Sequence, residues 1–139
     1  MTSNPADQVI RTALAGARRI AVVGLSDRPE RPSHDVARYL LRAGFRVIPV
    51  NPTLAGRCVL GERVRSSLAE LDGGVDIVDI FRRSALVPDV IDDALQIPAP
   101  LIWMQLGVMH AGAAARARGE GRLVVQDRCI KIEHARLCG

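Results

Sequence analysis

The stretch Arg19-Ile20-Ala21-Val22-Val23-Gly24 is a largely apolar run that ends at a glycine. A run of this kind is typical of a strand that is buried on both faces of a parallel sheet. Similar runs follow at 45–50, 75–80, 101–104 and 123–125, and segments with helical spacing of apolar residues separate them. Strands that alternate with helices form a parallel sheet through right-handed crossovers. The pattern therefore predicts an α/β fold, a doubly wound parallel five-stranded sheet with helices on both faces.

The length and the helix signals organise the rest of the chain. A chain of 139 residues is enough for one domain, which we place at 1–139. Ser3-Asn4-Pro5 predicts the start of a helix within 1–16 that packs on this domain. Ser33 is a good N-cap for the helix after the first strand, and Gly44 suits the position just past its end. Further helices are predicted at 67–71, 88–95, 111–118 and 127–137.

The composition excludes several classes of function. Aromatic residues are only 3% of the chain, and its 18 arginines and single lysine are scattered, so we expect no nucleic-acid partner. Three cysteines without a CxxC spacing argue against a disulfide framework and against a zinc site. The polar start at 1–8 and the lack of any apolar stretch near ~20 residues predict neither a signal peptide nor a membrane span. We therefore expect a cytoplasmic protein.

The loop from Gly24 to Ser33 follows the first strand, and parallel sheets bind ligands at the carboxyl ends of their strands. This is the position of the dinucleotide-binding fingerprint GxGxxG, but Ser26 and Pro29 replace its second and third glycines. At the end of the second strand, an NAD enzyme has an acidic residue that holds the ribose, and this chain has Asn51. The sequence therefore matches an NAD site poorly, and a phosphate on the ribose would meet no repulsion.

The same loop keeps the groups that bind an anion. Gly24 permits a tight turn, and Ser26 offers a hydroxyl and a backbone N–H. Arg28 and Arg31 can each reach a phosphate, and the helix that starts near Ser33 favours negative charge at its N-terminus. Two or three charge-assisted hydrogen bonds, with some apolar contact, suffice for binding in the micromolar range.

Ion pairing is the alternative use of the loop arginines. Arg28 and Arg31 would then pair with Asp27 and Glu30 on a solvated loop. A strand-to-helix loop of this length is usually functional in this architecture, which favours ligand binding.

Charged residues also lie in and after the third strand. Alternation puts Asp76 and Asp79 on opposite faces, so we do not expect one acid–base pair. We expect Asp76 to be solvated and Asp79 to pair with the arginines that follow. Arg82 and Arg83 could instead hold a phosphate and a carboxylate, and Asp89 is the other candidate for pairing with them.

The fourth strand ends in Trp103 and Met104, which we expect to pack in the core on opposite faces of the sheet. Gln105 follows, and its amide could form a hydrogen bond with a ligand. Cys129 and His134 are close enough in sequence to form a nucleophile pair, but no triad or metal arrangement follows from the spacing of the histidines.

Several stretches form a joint pattern that covers nearly the whole chain from residue 17 onward. They are 20–26 (IAVVGLS), 28–29 (RP), 31–33 (RPS), 47–52 (VIPVNP), 75–84 (VDIVDIFRRS), 103–107 (WMQLG) and 127–134 (DRCIKIEH). The pattern resembles the stand-alone CoA-binding protein family. These proteins are similar to the Rossmann-like CoA-binding domain of the succinyl-CoA synthetase alpha subunit, without its catalytic parts.

This resemblance implies a Rossmann-like fold and coenzyme A as the ligand. The first loop would hold the phosphates, the segment after the second strand would lie beside the nucleotide, and the later loops would flank the adenosine or the pantetheine arm. A lysine that the synthetase uses after the second strand has no counterpart here. The candidate cofactor-binding residues are Gly24, Leu25, Ser26, Arg28, Arg31, Ser33, Asn51, Pro52, Phe81, Arg82, Arg83, Gln105 and Gly107.

The expected function is that of a small non-enzymatic protein that binds CoA or an acyl-CoA, since no catalytic residue and no metal site emerges. The alternatives are an NAD(P)- or acyl-CoA-dependent enzyme and a CoA-responsive regulatory module, each in need of a partner chain. Cys129 stands at the carboxyl end of a strand, where a thiol cofactor could come close, so a mixed disulfide with CoA is a further hypothesis.

Overall fold

The computed structural model describes residues 4–139 and contains one five-stranded sheet in which every neighbouring pair is parallel. The strands are β1 (Arg19–Val23), β2 (Arg46–Val50), β3 (Cys58–Val59), β4 (Glu62–Arg63), β5 (Ile77–Ile80), β6 (Leu101–Met104) and β7 (Leu123–Val125). The parallel sheet has the order β2-β1-β5-β6-β7, and β3 and β4 form a separate hairpin. The predicted fold class is therefore confirmed, while the hairpin was not predicted.

Helices cover both faces of the sheet. They are α1 (Asp7–Gly16), α2 (Pro32–Arg42), α3 (Val87–Ala94), α4 (Ala111–Gly119) and α5 (Ile130–Cys138). Apolar residues of α1, α2 and α5 pack on one face, and apolar residues of α3 and α4 pack on the other. Trp103 and Met104 lie fully buried on these two opposite faces, as expected. No helix within residues 4–139 is long and apolar enough to cross a membrane.

Residues at and just before the start of α1 form hydrogen bonds with α5 and with the segment that follows β7. The predicted helix start falls partly on Ser3, which lies outside the described residues, and α1 begins at Asp7. The Asn4 side chain exchanges two hydrogen bonds with the backbone of Gln126, at 2.9 and 2.7 Å. Arg136 of α5 holds Asp7 through both carboxylate oxygens, at 2.8 and 2.9 Å. These contacts seat α1 beside α5.

The strand order creates a crevice between β1 and β5. The chain passes from β1 to α2 on one face of the sheet and from β5 to α3 on the other. Because the two connections leave in opposite directions, the carboxyl ends of β1 and β5 are left open, which is where ligands bind in sheets of this type. Gly24 and Phe81 are the residues that follow these two strands.

Candidate functional site

Gly24 and Phe81 close the bottom of the crevice. Gly24 adopts a φ of 90°, a conformation that residues with side chains rarely adopt. A Cβ atom at this position would overlap the carbonyl oxygen of Phe81. A glycine is therefore required both by the turn after β1 and by the close approach of the two backbones.

The loop after Gly24 folds back onto the start of α2. The Oγ of Ser33 accepts a hydrogen bond from the Ser26 N–H at 3.0 Å, and the Oγ of Ser26 accepts one from the Arg28 N–H at 3.1 Å. The predicted N-cap at Ser33 is wrong, because α2 begins at Pro32 and Arg31 is the capping residue. Ser33 instead uses its hydroxyl to hold the loop.

The start of α2 presents one free backbone donor. Pro32 has no N–H, and the Ser33 N–H has no acceptor among the described residues. The side chain of the capping residue, Arg31, forms no hydrogen bond to the helix. An unsatisfied N–H at the positive end of a helix dipole attracts an anion.

Two arginines lie near the start of α2. Arg28 and Arg31 are exposed and form no ion pair within residues 4–139. Asp27, the expected alternative partner, lies 3.8 Å from Arg57 instead. The pairing of the loop arginines with their acidic neighbours is therefore wrong. An open depression of about 450 Å³ is lined by Gly24, Ser26, Arg28, Arg31, Pro32, Ser33 and Phe81.

A second depression adjoins the first. It has a volume of about 390 Å³ and is lined by Pro32, Val36, Phe81, Gln105, Leu106, Val108 and Cys129. Pro32 and Phe81 line both depressions, so the two adjoin at these residues, and we refer to them together as the groove, with a cationic end and an apolar end. The apolar character of this end was not predicted from the sequence. Exposed Leu106 and Met109, two large apolar residues in one loop, were the signal that could have indicated it.

Asn51 supports the loop through a hydrogen bond to its backbone and is not part of the groove lining. It is buried, its Nδ2 donates to the Leu25 carbonyl oxygen at 3.1 Å, and its Oδ1 accepts from the backbone and the hydroxyl of Thr53. Leu25 itself is fully buried and its carbonyl oxygen is bonded to Asn51, so the structure does not present Leu25 to a ligand. Asn51 therefore has a positioning role in this structure, because both ends of its amide are occupied within the protein.

The loops after β6 and β7 are tied together beside the apolar end. The Oε1 of Gln105 accepts a hydrogen bond from the Ile130 N–H at 3.1 Å, at the start of α5. Asp127 accepts one from the Gly107 N–H at 2.7 Å, and Asp127 adopts a φ of 57°. Gly107 thus shapes the rim, whereas Gln105 reaches the apolar depression itself.

The Arg82 side chain passes close to Gly24, but neither Arg82 nor Arg83 is part of the groove lining. Arg82 lines a small depression of about 130 Å³ on the α3 side, together with Pro52 and Asp89. Arg83 is exposed and precedes a short helical turn, Ser84–Leu86. Neither arginine forms an ion pair with a described residue, so the expected pairing with Asp79 or Asp89 is wrong.

Asp79 is enclosed in the middle of the sheet. Its exposed fraction is 0%, and neither carboxylate oxygen has a hydrogen-bond partner among the described residues. Across the sheet it lies between Val22 and Trp103. Burial without a partner raises the pKa of this carboxyl group well above its ordinary value. Asp76, expected to be solvated, is half-buried and accepts hydrogen bonds from the backbone N–H groups of Arg18 and Arg19 at the start of β1.

His134 is committed elsewhere in the fold. Its Nδ1 lies 2.8 Å from the Tyr39 hydroxyl, and its ring meets the ring of Phe45 edge-on at 5.2 Å. Burial lowers the pKa of this imidazole. These contacts connect His134 to α2 and the start of β2, so the structure gives no support to a nucleophile pair with Cys129.

The arrangement as a whole can hold an elongated molecule that is anionic at one end and apolar at the other. The cationic end offers two guanidinium groups and a free backbone donor, which suits phosphate. The apolar end offers a half-open cavity lined by one buried amide side chain, that of Gln105.

Comparisons with known proteins agree with this geometry. A family model described as a CoA binding domain matches residues 18–135. The uncharacterized protein YneT of Bacillus subtilis (strain 168) is 46% identical over 132 residues, which are 95% of this chain and 96% of that protein. A Thermus thermophilus protein, cell-free ID.343, is 40% identical with a TM-score of 0.92, over 96% of this chain and 99% of that one. A dinucleotide forming acetyl-coenzyme A synthetase of Ca. Korarchaeum cryptofilum, in complex with phosphate and ADP, is 25% identical with a TM-score of 0.71, over 86% of this chain and 27% of that one.

Proposed function

Since the chain belongs to the CoA-binding domain family, we propose that it binds coenzyme A, free or as an acyl thioester, without catalysing a reaction on it. The observation that carries this proposal is the groove of two adjoining depressions, with a cationic end at Arg28 and Arg31 beside an apolar end at Gln105 and Cys129. CoA has matching parts, because its diphosphate is joined directly to a long uncharged pantetheine arm that ends in a thiol.

The phosphates of CoA would lie at the start of α2. The free N–H of Ser33 and the helix dipole favour a phosphate there, and the guanidinium groups of Arg28 and Arg31 neutralise its charge. The hydroxyl oxygens of Ser26 and Ser33 accept hydrogen bonds that fix the shape of the loop, and their O–H groups remain able to donate to a phosphate. Phosphate recognition would therefore combine backbone, arginine and serine donors.

The nucleotide would continue toward the residues after β2 and β5. Pro52 is exposed and Arg82 lines the same small depression, so this pair offers an apolar surface and a cation on the α3 side of the crevice. Asn51 supports that surface from inside, through its bonds to Leu25 and Thr53. Nothing acidic follows β2 at the position where an NAD enzyme holds its ribose.

Isothermal titration calorimetry with CoA, dephospho-CoA, NAD and NADP tests the proposal. We expect CoA to bind with a dissociation constant in the micromolar range or below, and dephospho-CoA to bind more weakly. Binding of NAD as tight as that of CoA would contradict it. Incubation with acyl-CoA should give no turnover, and a steady release of free CoA over many cycles would instead identify an enzyme.

A further inference from the structure

Cys129 lies where the proposed ligand would end. It is half-buried, immediately precedes α5 and lines the apolar end of the groove together with Phe81 and Leu106. Cys58, in contrast, is exposed on the β3 hairpin, and Cys138 is at the last position of α5. Because Cys129 lines an apolar cavity of about 390 Å³, it would adjoin a ligand held there.

Gln105 gives independent evidence that this cavity receives a polar ligand atom. Its exposed fraction is only 4%, and it lines the same cavity. Because the Ile130 N–H requires an oxygen acceptor, Oε1 faces α5 and the NH₂ group faces the other way. That NH₂ group donates to no described residue and is not among the fully enclosed polar atoms, so its open side is the cavity.

A donor that opens into an apolar cavity needs an acceptor, which is either water or an oxygen of a bound ligand. The pantetheine arm of CoA carries amide carbonyl oxygens a short distance before its terminal thiol. A carbonyl that accepts from the Gln105 NH₂ would leave that thiol in the space lined by Cys129 and Val108.

We propose that Cys129 is a site of reversible mixed-disulfide formation with CoA, an inference that rests on the proposed CoA binding. The oxidant is a CoA disulfide. The Cys129 thiolate attacks one sulfur of that disulfide, an S–S bond forms between Cys129 and one CoA, and the original S–S bond breaks. The second CoA leaves as a thiolate and takes up the proton that Cys129 lost. A thiol reductant reverses the exchange and restores free Cys129 and CoA.

The test compares two disulfides on the purified full-length chain. The protein is incubated with CoA disulfide or with oxidised glutathione at equal concentration, and intact mass and peptide mapping follow the adduct at each cysteine. We expect CoA disulfide to modify Cys129 roughly tenfold faster or more than oxidised glutathione does, because binding places the disulfide beside the thiol. We expect both reagents to modify Cys58 at similar rates.

Variants and a binding control complete the experiment. Cys129→Ser should abolish the selective CoA adduct, Cys58→Ser should leave it intact, and a thiol reductant should remove it. Equal rates for the two disulfides at Cys129, or a CoA adduct that favours Cys58, would overturn the inference. Calorimetry of the wild-type chain with CoA in the presence of reductant separates the two failures. Binding without a selective adduct overturns the Cys129 inference alone, and an absence of binding overturns the proposed function and the inference together.

Discussion

Gly24 and Phe81 approach so closely that any side chain on Gly24 would overlap the Phe81 carbonyl oxygen. The two residues follow adjacent parallel strands, and the Phe81 N–H donates to the Val23 carbonyl oxygen at 2.8 Å. Phe81 lines both ends of the groove, so this contact lies where the cationic end and the apolar end meet.

Gly24→Ala should therefore disrupt both the fold and the groove. A φ of 90° is strained for alanine, and its methyl group would overlap the Phe81 backbone. We therefore expect a loss of at least about 2 kcal/mol in the free energy of unfolding. Gly44→Ala is the matched control, since Gly44 has a φ of 100° but open space around it. Urea denaturation should show the smaller loss for Gly44→Ala, and equal losses would contradict the close approach.

Arg31→Ala should weaken CoA binding about tenfold or more, because one charge-assisted hydrogen bond to phosphate is lost. The melting temperature of the free protein should hardly change, since Arg31 is exposed and its side chain caps no helix and pairs with no described acid. Calorimetry and thermal denaturation measure the two effects. A large loss of stability with unchanged affinity would show that Arg31 has a structural role instead.

Replacement of Arg122 should affect stability but not CoA binding, the reverse of the expectation for Arg31. Its guanidinium group donates to the carbonyl oxygens of Ala94, Leu95, Ile97 and Ala99, at and beyond the end of α3. Arg122→Ala should lower the free energy of unfolding by about 2 kcal/mol, because those carbonyls lose a charged donor. Arg122 precedes β7 and so lies at the edge of the sheet opposite the groove, and CoA affinity should stay within about twofold in calorimetry.

Asp79 should make stability depend on pH in a characteristic direction. Its raised pKa means that the folded state keeps a proton that the unfolded chain releases near pH 4, so this group stabilises the fold at low pH and loses that contribution as pH rises. Asp79→Asn removes the titration.

The unfolding free energy of Asp79→Asn minus that of the wild type should therefore rise from pH 4 toward neutral pH, by at most about 1.4 kcal/mol per pH unit. Urea denaturation of both proteins at a series of pH values measures it. A difference that stays flat, or falls with pH, would show that Asp79 is ionised in the folded protein.

The main architecture could be predicted because local signals and burial agree. Apolar runs buried on both faces specify β1 and β6, and Gly44 does end α2 with a positive φ. The β3 hairpin was missed because Cys58–Val59 and Glu62–Arg63 are too short to show alternation. Its turn depends on Leu60 and Gly61 at positive φ, and a leucine does not signal such a turn.

The site was harder to predict, since it depends on which groups the fold has already used. The sequence shows that Ser33 can accept a hydrogen bond, but only the structure shows that the Ser26 N–H donates to it. Likewise, the alternation in β5 indicates on which face of the sheet Asp79 lies. Whether Asp79 reaches Arg82 depends on the turn after β5, which the sequence does not specify. The apolar end of the groove combines residues from α2 and from the loops after β5, β6 and β7, which no local pattern joins.

A crystal structure of the chain with CoA, grown under reducing conditions, tests the central claim most directly. We predict a phosphate of CoA at the Ser33 N–H with Arg31 beside it, and the pantetheine arm running past Phe81 to Gln105 and Cys129. CoA bound with its phosphates away from the start of α2, for example in the depression between Arg18 and Arg46 at the opposite edge of the sheet, would contradict the account.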